Sequence, residues 1–124
     1  MSKRDNKHIG SAGEKLAVKY LKNNGYGILD TNFKTDIGEI DIVAFTYGTI
    51  VFVEVKTRMT TDLGLPAEAV DYRKQNKISA VASQYIKKNM LFGVAVRFDV
   101  IDIVLDDNDK VTHYVDAFDS YLKY

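Results

Sequence analysis

The 124-residue sequence predicts a mixed α/β domain, a sheet of about four to five strands flanked by helices on both faces. Three observations carry that prediction. SAGEKLAVKYLKNNG has apolar residues at helical spacing, and GEIDIVAFTYGTIVFVEVKTR holds two apolar runs joined at Tyr47-Gly48. Beyond a second helical pattern, Val94, Val96, Phe98 and Val100 alternate with Arg97 and Asp99, as a strand does.

In the first helix Leu16, Ala17, Tyr20 and Leu21 share one stripe, Ser11 and Glu14 stand at capping-box spacing, and Gly25 marks the stop. GILDTNFK reads as a short strand and the next two runs as a hairpin. LGLPAEAVDYRKQNKISAVASQYIKKN predicts a loop with Pro66 and then a helix that buries Ile78, Val81, Ala82, Tyr85 and Ile86, with its basic residues elsewhere. A strand follows from about Val94 into Val104, ended by the Asp106-Asp107-Asn108-Asp109 turn. KVTHYV is expected to pair back as one more strand, and AFDSYLK to close as a short helix.

One domain over residues 1–124 fits this length, and the apolar fraction of 46% with a single proline is ordinary for a globular chain. The absence of cysteine excludes thiol catalysis, disulfides and thiolate metal sites, so a metal here needs oxygen or histidine ligands. It also fits a reducing compartment. With no apolar stretch long enough to span a bilayer and a polar, basic start, the expectation is a cytoplasmic protein with no membrane partner. Formal net charge is zero, yet residues 1–98 hold 15 Lys and Arg against 10 acids, whereas residues 99–119 hold 7 Asp and one Lys. That asymmetry specifies no partner by itself.

The hairpin register can be counted. A turn centred on Tyr47-Gly48 pairs residues whose numbers sum to 95. Asp41 then opposes Glu54, Glu39 opposes Lys56, Val43 opposes Phe52 and Phe45 opposes Ile50, all on one face. Ile40, Ile42, Ala44, Val51, Val53 and Val55 form an aliphatic, buried face on the other side. Two carboxylates in direct cross-strand register cost up to about 1 kcal/mol. Either a Glu39–Lys56 ion pair neutralises them, a bulge breaks the register, or they hold a hard cation such as Mg²⁺.

At these residues the sequence resembles the PD-(D/E)xK signature of restriction-endonuclease-like nucleases, with Ile40-Asp41 in the first position and Glu54-Val55-Lys56 in the second. It is most similar to the YraN family, small bacterial proteins related in core to archaeal Holliday-junction resolvases. GEKLAVKYL, NFK, GEIDIVA, VFVEVKTR, GLPAEAV with the following RKQNKI, and RFDVI carry the resemblance over nearly the whole chain. Isoleucine stands where the signature has proline.

The resemblance implies a restriction-endonuclease-like mixed sheet and a metal-dependent nuclease using Mg²⁺, with Mn²⁺ as a substitute. It implies that Asp41, Glu54 and the Val55 carbonyl bind the metal and that Lys56 orients or activates the nucleophile. Glu14 matches an acidic residue of the first helix that enters the metal site in such nucleases, although the capping box also accounts for it. Glu39 is expected to form a salt bridge to Lys56 or Arg58, outside the catalytic set. Arg58, Arg73, Lys74 and Lys77 are expected to contact phosphates of a nucleic acid, DNA in the first instance, with Gln75 hydrogen-bonding beside them. His8 and His113 read as surface or loop histidines, and Tyr47, Tyr72 and Phe92 take no assigned role. A resolvase-like activity would require a homodimer. The other reading that stays open is a non-catalytic nucleic-acid-binding or adaptor protein with this fold.

Overall fold

Helix α1 runs from Lys3 to Asn23 in the computed structural model of the chain, which describes residues 3–59 and 71–119. The helix therefore starts well before Ser11, and the capping box does not form. A capping box marks a helix start only where the preceding residues leave the helix, and KRDNKHIG contains nothing stronger than Gly10, which costs a helix interior about 1 kcal/mol. At the other end Gly25 takes φ +85°. Its N–H donates to the Lys22 carbonyl at 3.3 Å, and the Tyr26 N–H donates to the Leu21 carbonyl at 3.0 Å, closing the helix as a Schellman motif.

The remaining elements are β1 (Gly27–Lys34), β2 (Glu39–Thr46), β3 (Thr49–Met59), α2 (Tyr72–Lys88), β4 (Ala95–Leu105) and β5 (Lys110–Tyr114). They form one five-stranded mixed sheet in the order β1-β2-β3-β4-β5, flanked by two helices and consistent with a restriction-endonuclease-like fold. All neighbours are antiparallel except β3 and β4, the pair bridged by α2. Parallel strands need such a crossover, because a tight turn cannot return the chain to the same end of the sheet. The loop with Pro66 lies outside the described residues, as does most of the expected closing helix.

Tyr47 and Gly48 both take positive φ, 45° and 75°, as a two-residue hairpin turn of the primed type requires. That turn sets the counted register, which holds from Thr46↔Thr49 to Ile42↔Val53. There the β2–β3 ladder stops. Asp41 and Glu54, and Glu39 and Lys56, are not ladder pairs.

Each face of the sheet carries one helix. Ala17 and Leu21 of α1 pack on Ile42, Ala44, Val51, Val53, Ile101 and Ile103. Ile78, Val81, Ala82, Tyr85 and Ile86 of α2 pack on Val43, Ile50, Phe52 and Phe98. Ile40, expected beside Ile42 and Ala44, belongs to the α2 cluster instead. The counted alternation assumed a ladder that continues past Ile42, and it does not.

His113 is a correction too: it is no surface histidine. Its side chain is 7% exposed, and its Nε2 lies 2.7 Å from Oδ2 of the fully buried Asp99. Its Nδ1 faces the Tyr20 hydroxyl at 3.1 Å. Arg97 donates through Nε and an Nη2 to both Asp99 oxygens, and the Asp116 N–H adds a further bond at 2.9 Å. Burial pushes the Asp99 pKa up, but these donors outweigh it and leave the carboxyl below its usual value. The network ties α1 to β4 and β5.

Candidate metal centre

The end of the β2–β3 ladder is where the acidic residues meet. Instead of facing Glu54 across a closed ladder, Asp41 accepts a hydrogen bond from the Val55 N–H through Oδ2 at 2.8 Å. A side chain has taken the place of a backbone acceptor, and the strands part around it. The N–H and C=O of a strand residue project toward the same neighbour, so the Val55 carbonyl also points to the Asp41 side.

Glu39 reaches this place because the Thr35–Gly38 turn, closed by the Thr35 N–H donating to the Gly38 carbonyl at 2.8 Å, starts β2 there. Glu14 reaches it from α1. The helix lies so close to β3 at this level that a Cβ on Gly13 would overlap the Thr57 side chain, and only glycine permits that approach. One carboxylate oxygen each from Glu14, Glu39 and Asp41 lies within 4.8 Å of the other two. Three hard oxygen donors this close suit a cation whose metal–oxygen distances run about 2.0–2.6 Å.

Electrostatics point the same way. Burial, then the Glu54 charge, then Glu14 and Glu39 raise the Asp41 pKa from 3.8 to about 8, against the Val55 hydrogen bond that lowers it. Glu54, 14% exposed, receives the Lys74 ammonium at 2.6 Å. Lys74 is in the first turn of α2, its N–H donating at 2.9 Å to the capping Asp71 carboxylate. Burial lowers the Lys74 pKa, but the hydrogen bond and charge of Glu54 outweigh that and raise it. Gly38, Glu39, Asp41, Glu54, Lys74, Lys77 and Ile78 line one cleft of about 260 Å³.

The expected site residues thus divide. Glu14 and Asp41 converge, joined by Glu39 and with the Val55 N–H on Asp41, whereas Glu54 stands outside that oxygen cluster, sharing the cleft with Asp41 and paired with Lys74. Lys56 is exposed, two positions beyond Glu54 on β3, next to Asp102 in the β3–β4 ladder. Lys77 lines the cleft and Arg73 is exposed on the first turn of α2, beside the half-buried Gln75. Arg58 turns inward instead, its guanidinium 2.8 Å from the buried Asp102 carboxylate. The ion pair of Glu39 runs to Lys34 of β1 at 3.4 Å, not to the anticipated Lys56 or Arg58. Sequence reasoning set Glu39 aside because the counted register offered it Lys56. It also passed over Asn32, whose amide donates to Glu14 Oε2 at 3.2 Å from a backbone with φ +53°. The period-two alternation that brings Glu39 level with Asp41 was the available signal for the first; NFK alone held none for the second.

Fold and site together define a small mixed α/β protein with an acidic cleft between the open end of a central hairpin and the first turn of the crossover helix. Residues 13–103 match the family described as "Uncharacterised protein family UPF0102", and the chain belongs to that family, the YraN family. A UPF0102 protein of Caldanaerobacter subterraneus is 47% identical over 122 residues, covering 95% of this chain and 100% of its own length. One from Alkaliphilus oremlandii is 50% identical over 116 residues, 91% of this chain and 99% of its own, and one from Clostridium botulinum is 51% identical over 102 residues, 82% and 83%.

Proposed function

We propose that this protein is a divalent-metal-dependent nuclease that hydrolyses phosphodiester bonds in DNA, including branched or otherwise structured DNA. The observation that carries the proposal is the convergence of Glu14, Glu39 and Asp41 oxygens, two of them, Glu39 and Asp41, lining one cleft with Glu54 and two lysines. Glu14, Glu39, Asp41, Glu54 and the Val55 carbonyl are the groups that would hold Mg²⁺ or Mn²⁺. When bound, the cation supplies Lewis acidity to the scissile phosphate. Lys56, on the solvent side of β3, holds its ammonium for the charge that develops on the phosphorane and orients the attacking water. The water oxygen forms a bond to phosphorus, one phosphorus–oxygen ester bond breaks, and the leaving oxygen takes up a proton. Lys77 and Arg73 contact flanking phosphates along α2.

The test is cleavage of labelled duplex, single strand, flap, four-way junction and RNA with Mg²⁺, Mn²⁺ or EDTA, comparing the protein with Asp41→Ala and Glu54→Ala. Metal-dependent cutting that both variants lose supports the nuclease. Binding that persists in all three proteins with no cutting under any metal overturns it in favour of a non-catalytic nucleic-acid-binding role.

A further inference from the structure

We infer that Lys74 is the resident counter-cation of this cleft, which a divalent cation must displace from Glu54, and that the displaced ammonium is then presented to a substrate phosphate. The inference rests on the metal-site reading given above. Glu54 is the acid of the cleft with an ammonium on it, at 2.6 Å. Glu39 has its lysine outside the cleft, on β1, whereas Asp41 and Glu14 receive neutral donors, the Val55 N–H and the Asn32 amide.

The backbone of Lys74 is held by the Asp71 cap, but its side chain is 54% exposed. Only the flexible stem has to move for the ammonium to leave Glu54, and it moves toward solvent, where a phosphate would lie. A divalent cation arriving beside Asp41 and Glu54 meets that ammonium as a like charge in a partly buried place, so the two compete for the same carboxylate. A phosphate that takes the ammonium removes the competitor. Cation and phosphate then strengthen each other's binding through one side chain.

Two measurements test this without any cleavage. Calorimetric titration with Mg²⁺ alone compares the protein with Lys74→Met, Lys77→Met and Asp41→Asn. Lys74→Met is expected to bind Mg²⁺ about tenfold more tightly, a typical coupling between two sites. Lys77→Met, which removes an equal charge from the same cleft but no Glu54 contact, is expected to shift affinity less than about twofold. In parallel, the side-chain ¹⁵N resonance of the Lys74 ammonium is expected to shift in step with Mg²⁺ binding. An unchanged or weakened affinity in Lys74→Met, equal gains in both lysine variants, or a Lys74 resonance that stays fixed at saturating Mg²⁺ overturns the inference. If Mg²⁺ binds equally well to Asp41→Asn, or to none of the proteins, the metal-site reading falls and takes this inference with it.

Discussion

The Asp41 carboxylate accepts the Val55 N–H at 2.8 Å where the next backbone bond of the β2–β3 ladder would fall. This bond keeps a partly buried N–H satisfied while the strands separate, and it anchors an acid that is itself only 9% exposed. Stability is given up for a concentration of negative charge, and that exchange can be measured.

The first consequence is a pH dependence of the metal-free protein. The folded Asp41 pKa of about 8 stands above the ordinary 3.8, so the native state holds a proton that the unfolded chain releases. The contribution of this group is fully favourable below the unfolded value and is lost as pH rises toward 8. Asp41→Asn, whose amide oxygen can still accept from Val55, is expected to stabilise the protein at pH 8 in EDTA by on the order of 2 kcal/mol and to change it little at pH 4. Thermal denaturation at both pH values checks this. An equal effect at the two would argue against charge as the cause.

If the cleft takes a divalent cation as proposed, Glu14 and Glu39 should both matter for its binding, although only the first was expected to. Because their oxygens lie within 4.8 Å of each other and of Asp41, Glu14→Gln and Glu39→Gln are each expected to weaken Mg²⁺ or Mn²⁺ binding by roughly tenfold while leaving the melting temperature in EDTA unchanged or higher. Titration calorimetry reads the first effect and thermal melts the second.

Gly13 controls the approach of α1 to β3. Gly13→Ala is expected to cost about 1–3 kcal/mol through overlap with Thr57 and to weaken metal binding by shifting Glu14. Combining it with Thr57→Ala removes the two nearest atoms, Oγ1 and Cγ2, so the double variant is expected to recover part of the loss. Denaturant unfolding of the four proteins in this cycle reads that coupling, and strict additivity would contradict the overlap.

The network around Asp99 should govern stability at acid pH and far from the cleft. Its folded pKa lies below the ordinary carboxylate value, so the stability it contributes is present above the unfolded pKa and is lost as pH falls through the folded one. Asp99→Ala leaves the Arg97 guanidinium and His113 without their shared acceptor and is expected to cost about 3–5 kcal/mol at pH 7. Asp99→Asn should cost less and should flatten the acid limb of the stability curve. Equilibrium unfolding between pH 3 and pH 7 checks both.

The sequence by itself determined the element order, the hairpin register as far as Ile42, both helix faces and the acids of the central hairpin. These follow from rules that act over a few residues: helical and strand periods, the conformations available to Tyr47-Gly48, and side-chain alternation along a paired strand. The tertiary structure decided where α1 begins, how the ladder ends, and which charges meet. Whether Glu39 faces Lys56 or Lys34, and whether Lys74 points to solvent or to Glu54, depends on how strands part and how a crossover helix is seated, and no local spacing encodes either. The same holds for His113, which reads as a lone polar residue in a short strand and becomes buried only when α1 and β4 close over it. Local patterns specify where a chain bends and which side it buries; the pairing of charges distant in sequence is settled by packing, because burial makes each unpaired charge costly and forces a partner from whatever element lies within reach.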